Sequence, residues 1–143
     1  MNFTDLDSRG GVWRPASPAS EHALRHLVLE SPIDLPDAYL HFLRYSNGGE
    51  GSLGRVPGWA AFWPAEAVLD LNREYKVSST IPGLYGFGSN GAGELLVFDL
   101  RAAPAWRIAM IPFIPMTLDH LVEIAGSFEE LLGTLGRISG RIA

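Results

Sequence analysis

The chain has 143 residues, a length that predicts one domain. Of these residues 47% are hydrophobic and 19% charged, which excludes a disordered protein. The longest apolar runs are too short to cross a bilayer. With 16 acidic against 11 basic residues the net charge is -5, which disfavours general binding to nucleic acid and favours a basic partner. There is no cysteine, which excludes disulfides, thiolate metal sites and thiol nucleophiles, and the N-terminus lacks the pattern of a signal peptide, so we expect a cytoplasmic protein.

Residues 1–17 show no clear period, and we expect them to be irregular or to form a short edge segment. Ser17 followed by Pro18 has the pattern of an N-cap and a first helical residue, and apolar residues continue at helical spacing. This pattern predicts a first helix over 18–29. Pro32 should separate this helix from the next one, since proline restricts the residue before it to extended conformations.

A second helix is predicted after Pro32 and should end abruptly. Pro36 suits the first helical position, and four apolar residues at helical spacing predict a buried face. These residues are Tyr39, Leu40, Phe42 and Leu43. Asn47 and Gly48 are expected to take the left-handed conformation that closes a helix, which would hold Glu50 at a defined place at the start of the next segment.

The middle of the chain has the pattern of strands around a third helix. Glycine, proline and apolar residues over 51–61 predict one or two short strands, and an apolar face over 65–75 predicts a helix followed by a polar turn. Three further segments are rich in β-branched and aromatic residues and are bounded by glycine or proline, which predicts strands joined by hairpins. They are residues 81–87, 93–100 and 105–111.

A short strand and a helix are predicted near the end. The run 121–125 has the composition of a short strand. Ser127 and Glu130 match the capping box, in which each side chain satisfies a backbone N–H of the other residue, so a last helix should begin at Phe128. Gly136 is expected to stop this helix after about Leu135.

The order of these elements indicates the fold class. Helices come first, antiparallel strands occupy the middle and a helix comes last, which favours an α+β fold over a parallel sheet. We therefore predict a single domain with a mainly antiparallel sheet flanked by about four helices. It should span residues 18–136, preceded by the irregular segment 1–17 and followed by a loose tail over 137–143.

Four segments, in this order, resemble the SUKH superfamily. They are LPDAYLHFLRYSNGGEG (35–51), FWPAEAVLDLN (62–72), GFGSNGAGELLVFDL (86–100) and IAGSFEELL (124–132). Together they cover roughly residues 18–135, whereas 101–120 matches no motif of the group. That superfamily includes bacterial immunity proteins and the yeast cell-wall assembly regulator, so the resemblance implies an α+β binding module rather than a catalyst.

Five residues are candidates for contacting a partner protein. Glu50, Glu94 and Asp99 each follow a glycine turn or end a strand, so that backbone geometry fixes them, and they suggest an acidic recognition patch. The structural alternative is that they cap local N–H groups or close turns. Tyr45 and Trp63 are aromatic candidates because these residue types dominate binding hot spots, although tryptophan is also common in protein cores.

Other chemical motifs in the sequence are weak. Gly86, Gly88 and Gly91 spell G-x-G-x-x-G, but a strand pattern follows instead of the helix that a dinucleotide needs, which favours a hairpin loop. His22 and His26 have the i, i+4 spacing of metal ligands, but an intervening arginine repels a cation, which favours a solvated helix face. We therefore predict neither a cofactor nor a metal site.

Three functions remain open from the sequence. The first is an immunity protein that binds a cognate toxin, a basic nuclease for example, and blocks it without chemistry of its own. The second is an intracellular regulatory or adaptor protein. The third is a small hydrolase, which would need two of the candidate carboxylates within about 5–10 Å of each other around a cleft.

Overall fold

The computed structural model describes residues 3–101 and 106–138. In this part of the chain the strands form one seven-stranded antiparallel sheet, ordered as they occur in the sequence. The strands are β1 Trp13–Arg14, β2 Gly49–Ser52, β3 Trp59–Phe62, β4 Leu84–Ser89, β5 Glu94–Asp99, β6 Arg107–Pro112 and β7 Val122–Ala125. The helices are α1 Glu21–Glu30, α2 Asp37–Tyr45, α3 Ala65–Glu74, α4 Val77–Thr80 and α5 Phe128–Leu132. The predicted α+β fold is confirmed, and no helix among the described residues is long and apolar enough to cross a membrane.

One face of the sheet, the inner face, carries the main core. Side chains alternate between the two faces of a strand, and those that enter this core from β4, β5 and β6 are Tyr85, Phe87, Leu96, Phe98, Ile108 and Met110. They share it with buried residues of α1, α2, α3 and α5. Phe128 of α5 contacts both the helices and the sheet, because its ring centroid lies 5.3 Å from that of Tyr39 in α2 and 5.5 Å from that of Phe87 in β4. Of the four residues predicted to form the buried face of α2, Tyr39, Phe42 and Leu43 are fully buried and Leu40 is half-buried.

The opposite face, the outer face, carries a smaller second cluster. Its buried members from the sheet are Leu84, Leu95, Val97, Ala109 and Ile111. Val77 and Ile81 cover them, and the burial of Val77 explains why residues 77–80 form α4 where the sequence predicted only a polar turn. Lys76, at the junction of α3 and α4, has a positive φ of 55°.

The first helix begins later than predicted. Ser20, not Ser17, is its N-cap, and its Oγ accepts a hydrogen bond of 3.0 Å from the N–H of Ala23. The residues before it are held out of the helix by α2, because the N–H of Ala19 donates to the carbonyl of Leu43 at 3.0 Å. Tertiary hydrogen bonds therefore override the local Ser-Pro signal.

The end of α2 corrects one prediction. The helix runs over Asp37–Tyr45, and the positive φ angles after it, both 94°, belong to Gly48 and Gly49, not to Asn47. A Cβ atom at Gly48 would lie 2.7 Å from the carbonyl oxygen of Phe62. This close approach to β3 requires glycine, whereas Asn47 is free to use its side chain elsewhere.

The segment before the first helix contributes to the core. Phe3, Leu6 and Trp13 are buried in the main core, and Trp13–Arg14 forms the edge strand β1 against β2. Arg9 fixes this segment to the end of the chain, since its Nη1 donates to the carbonyls of Leu132 and Leu135 at 2.8 and 3.0 Å.

The central strands lie where they were predicted, with shifted ends. β4 begins at Leu84 and not at Ile81, because the N–H of Ile81 donates to the carbonyl of Val77 and completes the turn of α4. The predicted start of the next-to-last strand, residue 105, lies outside the described residues, and β6 is described from Arg107 onward.

The last helix is shorter than predicted. It ends at Leu132, and the chain then forms a bridge between Leu135 and Leu53. Ser127 caps the helix as expected, accepting a hydrogen bond of 3.1 Å from the N–H of Glu130. The carboxylate of Glu130, however, accepts from the N–H of Gly126 and not from that of Ser127.

Candidate protein-binding surface

Glu50 lies on β2 and forms an ion pair with a residue of the neighbouring strand β1. Arg14 stands opposite it on β1, and the Nη1 of Arg14 donates to Oε1 of Glu50 at 3.0 Å. The same guanidinium lies 5.7 Å from the ring centroid of Trp59. Both charged side chains are exposed, so the ion pair adds little stability and remains accessible to a partner.

Glu94 closes the hairpin between β4 and β5. The side-chain oxygen of Asn90 accepts from the N–H groups of Ala92 and Glu94 at 2.9 and 3.0 Å, and its Nδ2 donates to Oε1 of Glu94 at 2.9 Å. Gly91 and Gly93 have φ angles of 74° and 99°. The G-x-G-x-x-G segment is therefore a hairpin loop, as predicted, and Glu94 has a local structural role.

Asp99 closes a turn at the other end of β5. Only 7% of the residue is exposed, and Arg101 donates to its two oxygens from Nε at 3.0 Å and from Nη2 at 2.9 Å. Burial raises the pKa of Asp99, but the hydrogen bonds and charge of Arg101, together with the charge of Arg107, outweigh it and leave this pKa below its usual range. The carboxylate is therefore ionised and already satisfied within the chain.

The three carboxylates do not converge. Glu94 and Asp99 are at opposite ends of β5, five residues and therefore about 16 Å apart. Glu50 is on β2, three strands from β5 and thus about 14 Å away. These separations exceed the about 5–10 Å that a paired-carboxylate hydrolase needs, so these acids form neither one compact patch nor a catalytic pair.

The two histidines considered as metal ligands lie one turn apart on the exposed face of α1. His22 and His26 are exposed on α1, and the described residues contain no group of three or more histidines, cysteines or carboxylates that could hold a metal ion. A cavity of about 470 Å³ lies between the end of α1, α3 and α4, but its lining, which includes Arg73 and Tyr85, contains none of the five predicted contact residues.

Tyr45 anchors the N-terminal segment. Its hydroxyl accepts a hydrogen bond of 3.3 Å from Nε1 of Trp13, and its ring stacks on that of Phe3 with centroids 4.7 Å apart. The side chain is half-buried by these contacts. Tyr45 therefore contributes to the packing of residues 3–14 on α2.

Trp63 lies where β3 leads into α3, and it packs against both the main core and the second cluster. Glycine at position 86 makes room for it, since a Cβ there would lie 3.1 Å from Cη2 of the indole. The indole packs against the second cluster and stacks on Tyr75, with centroids 6.2 Å apart. Tyr75 in turn contacts Phe113 at 4.7 Å.

These contacts continue into a surface that the sequence analysis missed. Phe113, Met116 and Leu121 pack on the same second cluster as Trp63, and Ile114 is 91% exposed. We call the set the outer aromatic surface; it consists of Trp63, Tyr75, Phe113, Ile114, Met116 and Leu121. The signal in the sequence was the apolar run FIPM between two predicted strands, in a segment to which no role was assigned.

The fold and these motifs agree with a family match. The sequence matches the model of the SMI1 / KNR4 family (SUKH-1) over residues 18–134. The chain belongs to this family. The resemblance seen in the sequence is thereby confirmed, and the SUKH group includes immunity proteins and regulators that are generally non-catalytic. Among individually curated proteins, none matches the chain.

The SUKH-1 match and the observed sheet differ in extent. The match begins at residue 18, whereas β1, at Trp13–Arg14, already pairs with β2. Likewise, Leu135, which forms a bridge with Leu53, lies one residue beyond the matched range. In this SUKH-1 protein the sheet therefore extends one strand beyond the matched residues.

Proposed function

We propose that this SUKH-1 protein is an immunity protein that neutralises a cognate toxin by direct binding, without chemistry of its own. The observation that carries the proposal is membership of a family that includes immunity proteins, over residues 18–134. The dispersed carboxylates and their local hydrogen bonds support a binding role over catalysis. A cytoplasmic location, where a toxin would meet its target, belongs to the same proposal.

The net charge of -5 suggests what the toxin is like. An acidic protein attracts a basic one over long range, which speeds encounter at low ionic strength. A nuclease is one such toxin, because enzymes that act on nucleic acid carry basic surfaces. The affinity itself would come mainly from buried aromatic anchors.

Co-expression with the neighbouring genes tests the proposal. A tagged copy of this protein is expressed with the product of each adjacent open reading frame, and both co-purification and survival of the host are measured. We expect one product to be toxic alone, tolerated in the presence of this protein and recovered with it in purification. If no neighbouring product both binds and is neutralised, the proposal fails.

The electrostatic part has its own test. Glu50→Gln and Glu94→Gln remove the charge of the two more accessible candidate carboxylates while keeping similar shapes. We expect slower association with the toxin and a weaker dependence of the association rate on salt. A toxin that binds these variants as fast as the wild type would remove Glu50 and Glu94 from the contact surface.

An intracellular regulator is the second candidate function, because the same family includes regulators. Genetic context distinguishes it from an immunity protein. An adjacent gene for a large secreted toxin favours immunity, whereas the absence of such a gene, together with capture of a host regulatory protein by direct binding, favours the regulator.

A further inference from the structure

The outer aromatic surface has the physical character of a protein contact. We infer that it is the surface through which the protein grips its partner, and that this partner is a basic protein with an apolar pocket for Ile114. The inference rests on the proposed function and adds to it the surface used and the chemistry that recognises it.

Exposure of this surface is the first step. Ile114 is 91% exposed and Tyr75 is 42% exposed, although burying a side chain such as isoleucine is worth about 1.5–3 kcal/mol. Scattered apolar side chains are normal on protein surfaces, but contiguous ones indicate interaction sites. Here Ile114 directly follows Phe113 in the chain, and the ring of Phe113 lies against that of Tyr75 with centroids 4.7 Å apart.

Rigidity of the base is the second step. Trp63, Phe113 and Met116 are held from below by the second cluster, and Tyr75 bridges the rings of Trp63 and Phe113. Side chains that are already ordered lose little conformational entropy on binding. Aromatic residues and methionine are also the types enriched at the centre of protein interfaces.

Charge around the surface indicates the partner. Residues 113–125 contain Asp119 and Glu123 but neither lysine nor arginine, and Glu74 precedes Tyr75. The carboxylate of Glu123 is paired with Arg107 of β6 at 2.9 Å, so the acidic charge beside the surface comes from Glu74 and Asp119. Within residues 3–101 and 106–138, Glu74 and Asp119 form no ion pair, while Lys76 offsets part of their charge. A second copy of the chain would bring another net charge of -5 and is repelled, whereas a basic protein is attracted.

Two matched substitutions test the inference. Ile114→Arg changes the most exposed residue of the surface, and Leu29→Arg introduces the same charged side chain at a 74% exposed residue of α1, a helix that packs on the inner face. Both side chains are exposed, so neither change should lower the melting temperature, and both add the same charge. The measured quantity is the dissociation constant for the toxin recovered in the co-expression experiment.

We expect Ile114→Arg to weaken binding by at least about tenfold, the scale of a contact residue at the centre of an interface, and Leu29→Arg to change it less than about twofold. Tyr75→Ala should also weaken binding. The inferred surface is wrong, while the proposed function stands, if the Ile114→Arg variant binds as tightly as the wild type. This holds whether the Leu29→Arg variant binds or not.

Two other outcomes also overturn the inference. If the wild type binds and neutralises no neighbouring product, the proposed function fails and the inferred surface fails with it. If light scattering shows a wild-type dimer that Ile114→Arg converts to a monomer, the occupant of the surface is a second copy of the chain and not a basic partner.

Discussion

Asn47 links two distant elements, and its loss should be measurable. Its Oδ1 accepts a hydrogen bond of 2.7 Å from the N–H of Ala65, the first residue of α3, and its Nδ2 donates to Oε1 of Glu66 at 2.7 Å. The N-cap position of α3 is Pro64, whose side chain makes no cap hydrogen bond. Asn47 therefore performs from the end of α2 the capping role that α3 lacks locally.

The effect of Asn47→Ala can be worked out from these contacts. Loss of a helix N-cap costs about 0.5–2 kcal/mol, and the contact with Glu66 adds little because that carboxylate is exposed. We expect the free energy of unfolding to fall by about 1–2 kcal/mol, and the melting temperature to fall by roughly 3–8 °C for a domain of this size.

Urea denaturation and thermal melts followed by circular dichroism measure this change. Glu66→Gln is the matched control, because it keeps the bond between Asn47 and Ala65 and should cost less than about 0.5 kcal/mol. Stability of Asn47→Ala within about 0.3 kcal/mol of the wild type, with an unchanged denaturant slope, would refute the assigned cap.

The pH dependence of the stability lost in Asn47→Ala distinguishes the contributions of the two contacts of Asn47. The hydrogen bond from Asn47 lowers the pKa of Glu66, so this contact contributes above the unfolded pKa of about 4.3 and is lost as the pH falls through the lower folded pKa. The bond to Ala65 does not titrate. Most of the difference between wild type and Asn47→Ala should therefore persist at pH 3, and a difference that vanishes there would show that Glu66 dominated.

Two further predictions concern buried polar groups. Among residues 3–101 and 106–138 the buried hydroxyl of Tyr39 has no hydrogen-bond partner, and burial raises its pKa. Tyr39→Phe should therefore raise the free energy of unfolding by about 1 kcal/mol in urea titrations, and a loss of stability would contradict this. Asp99→Asn should lower the free energy of unfolding at pH 7. The pKa of Asp99 is lowered in the folded protein, so its charge adds stability that is lost as the carboxylate protonates. The difference in free energy of unfolding from the wild type should therefore shrink below about pH 4. A difference that is constant between pH 7 and pH 3 would exclude that role for its charge.

Local patterns in the sequence determined the class and order of elements. The buried face of α2, the hairpin between β4 and β5, and the Ser127 cap each depend on residues within a few positions of one another, and each was predicted. Periodicity records which face meets the core, and glycine records where φ is positive. These signals also sufficed for the resemblance to the SUKH group.

Tertiary structure alone decided the ends of helices and the partners of polar side chains. The hydrogen bond from Ala19 to the carbonyl of Leu43 in α2 keeps the chain before Glu21 out of α1. The close approach of the chain to β3 requires a positive φ at Gly48, and the side chain of Asn47 caps α3. Such contacts join residues far apart in sequence, and their geometry depends on strand order and register, which no local pattern encodes.

The candidate site shows the same division. Sequence identified Trp63 as a packing or contact residue, but only the fold brought Tyr75 and Phe113 beside it to form the outer aromatic surface. The predicted strand over 93–100 already implied that Glu94 and Asp99 lie about 16 Å apart, whereas the distance of Glu50 from both depended on the strand order of the sheet. Sequence determines which side chains are present and which local conformation they favour, whereas their meeting in space is a property of the packed sheet and helices.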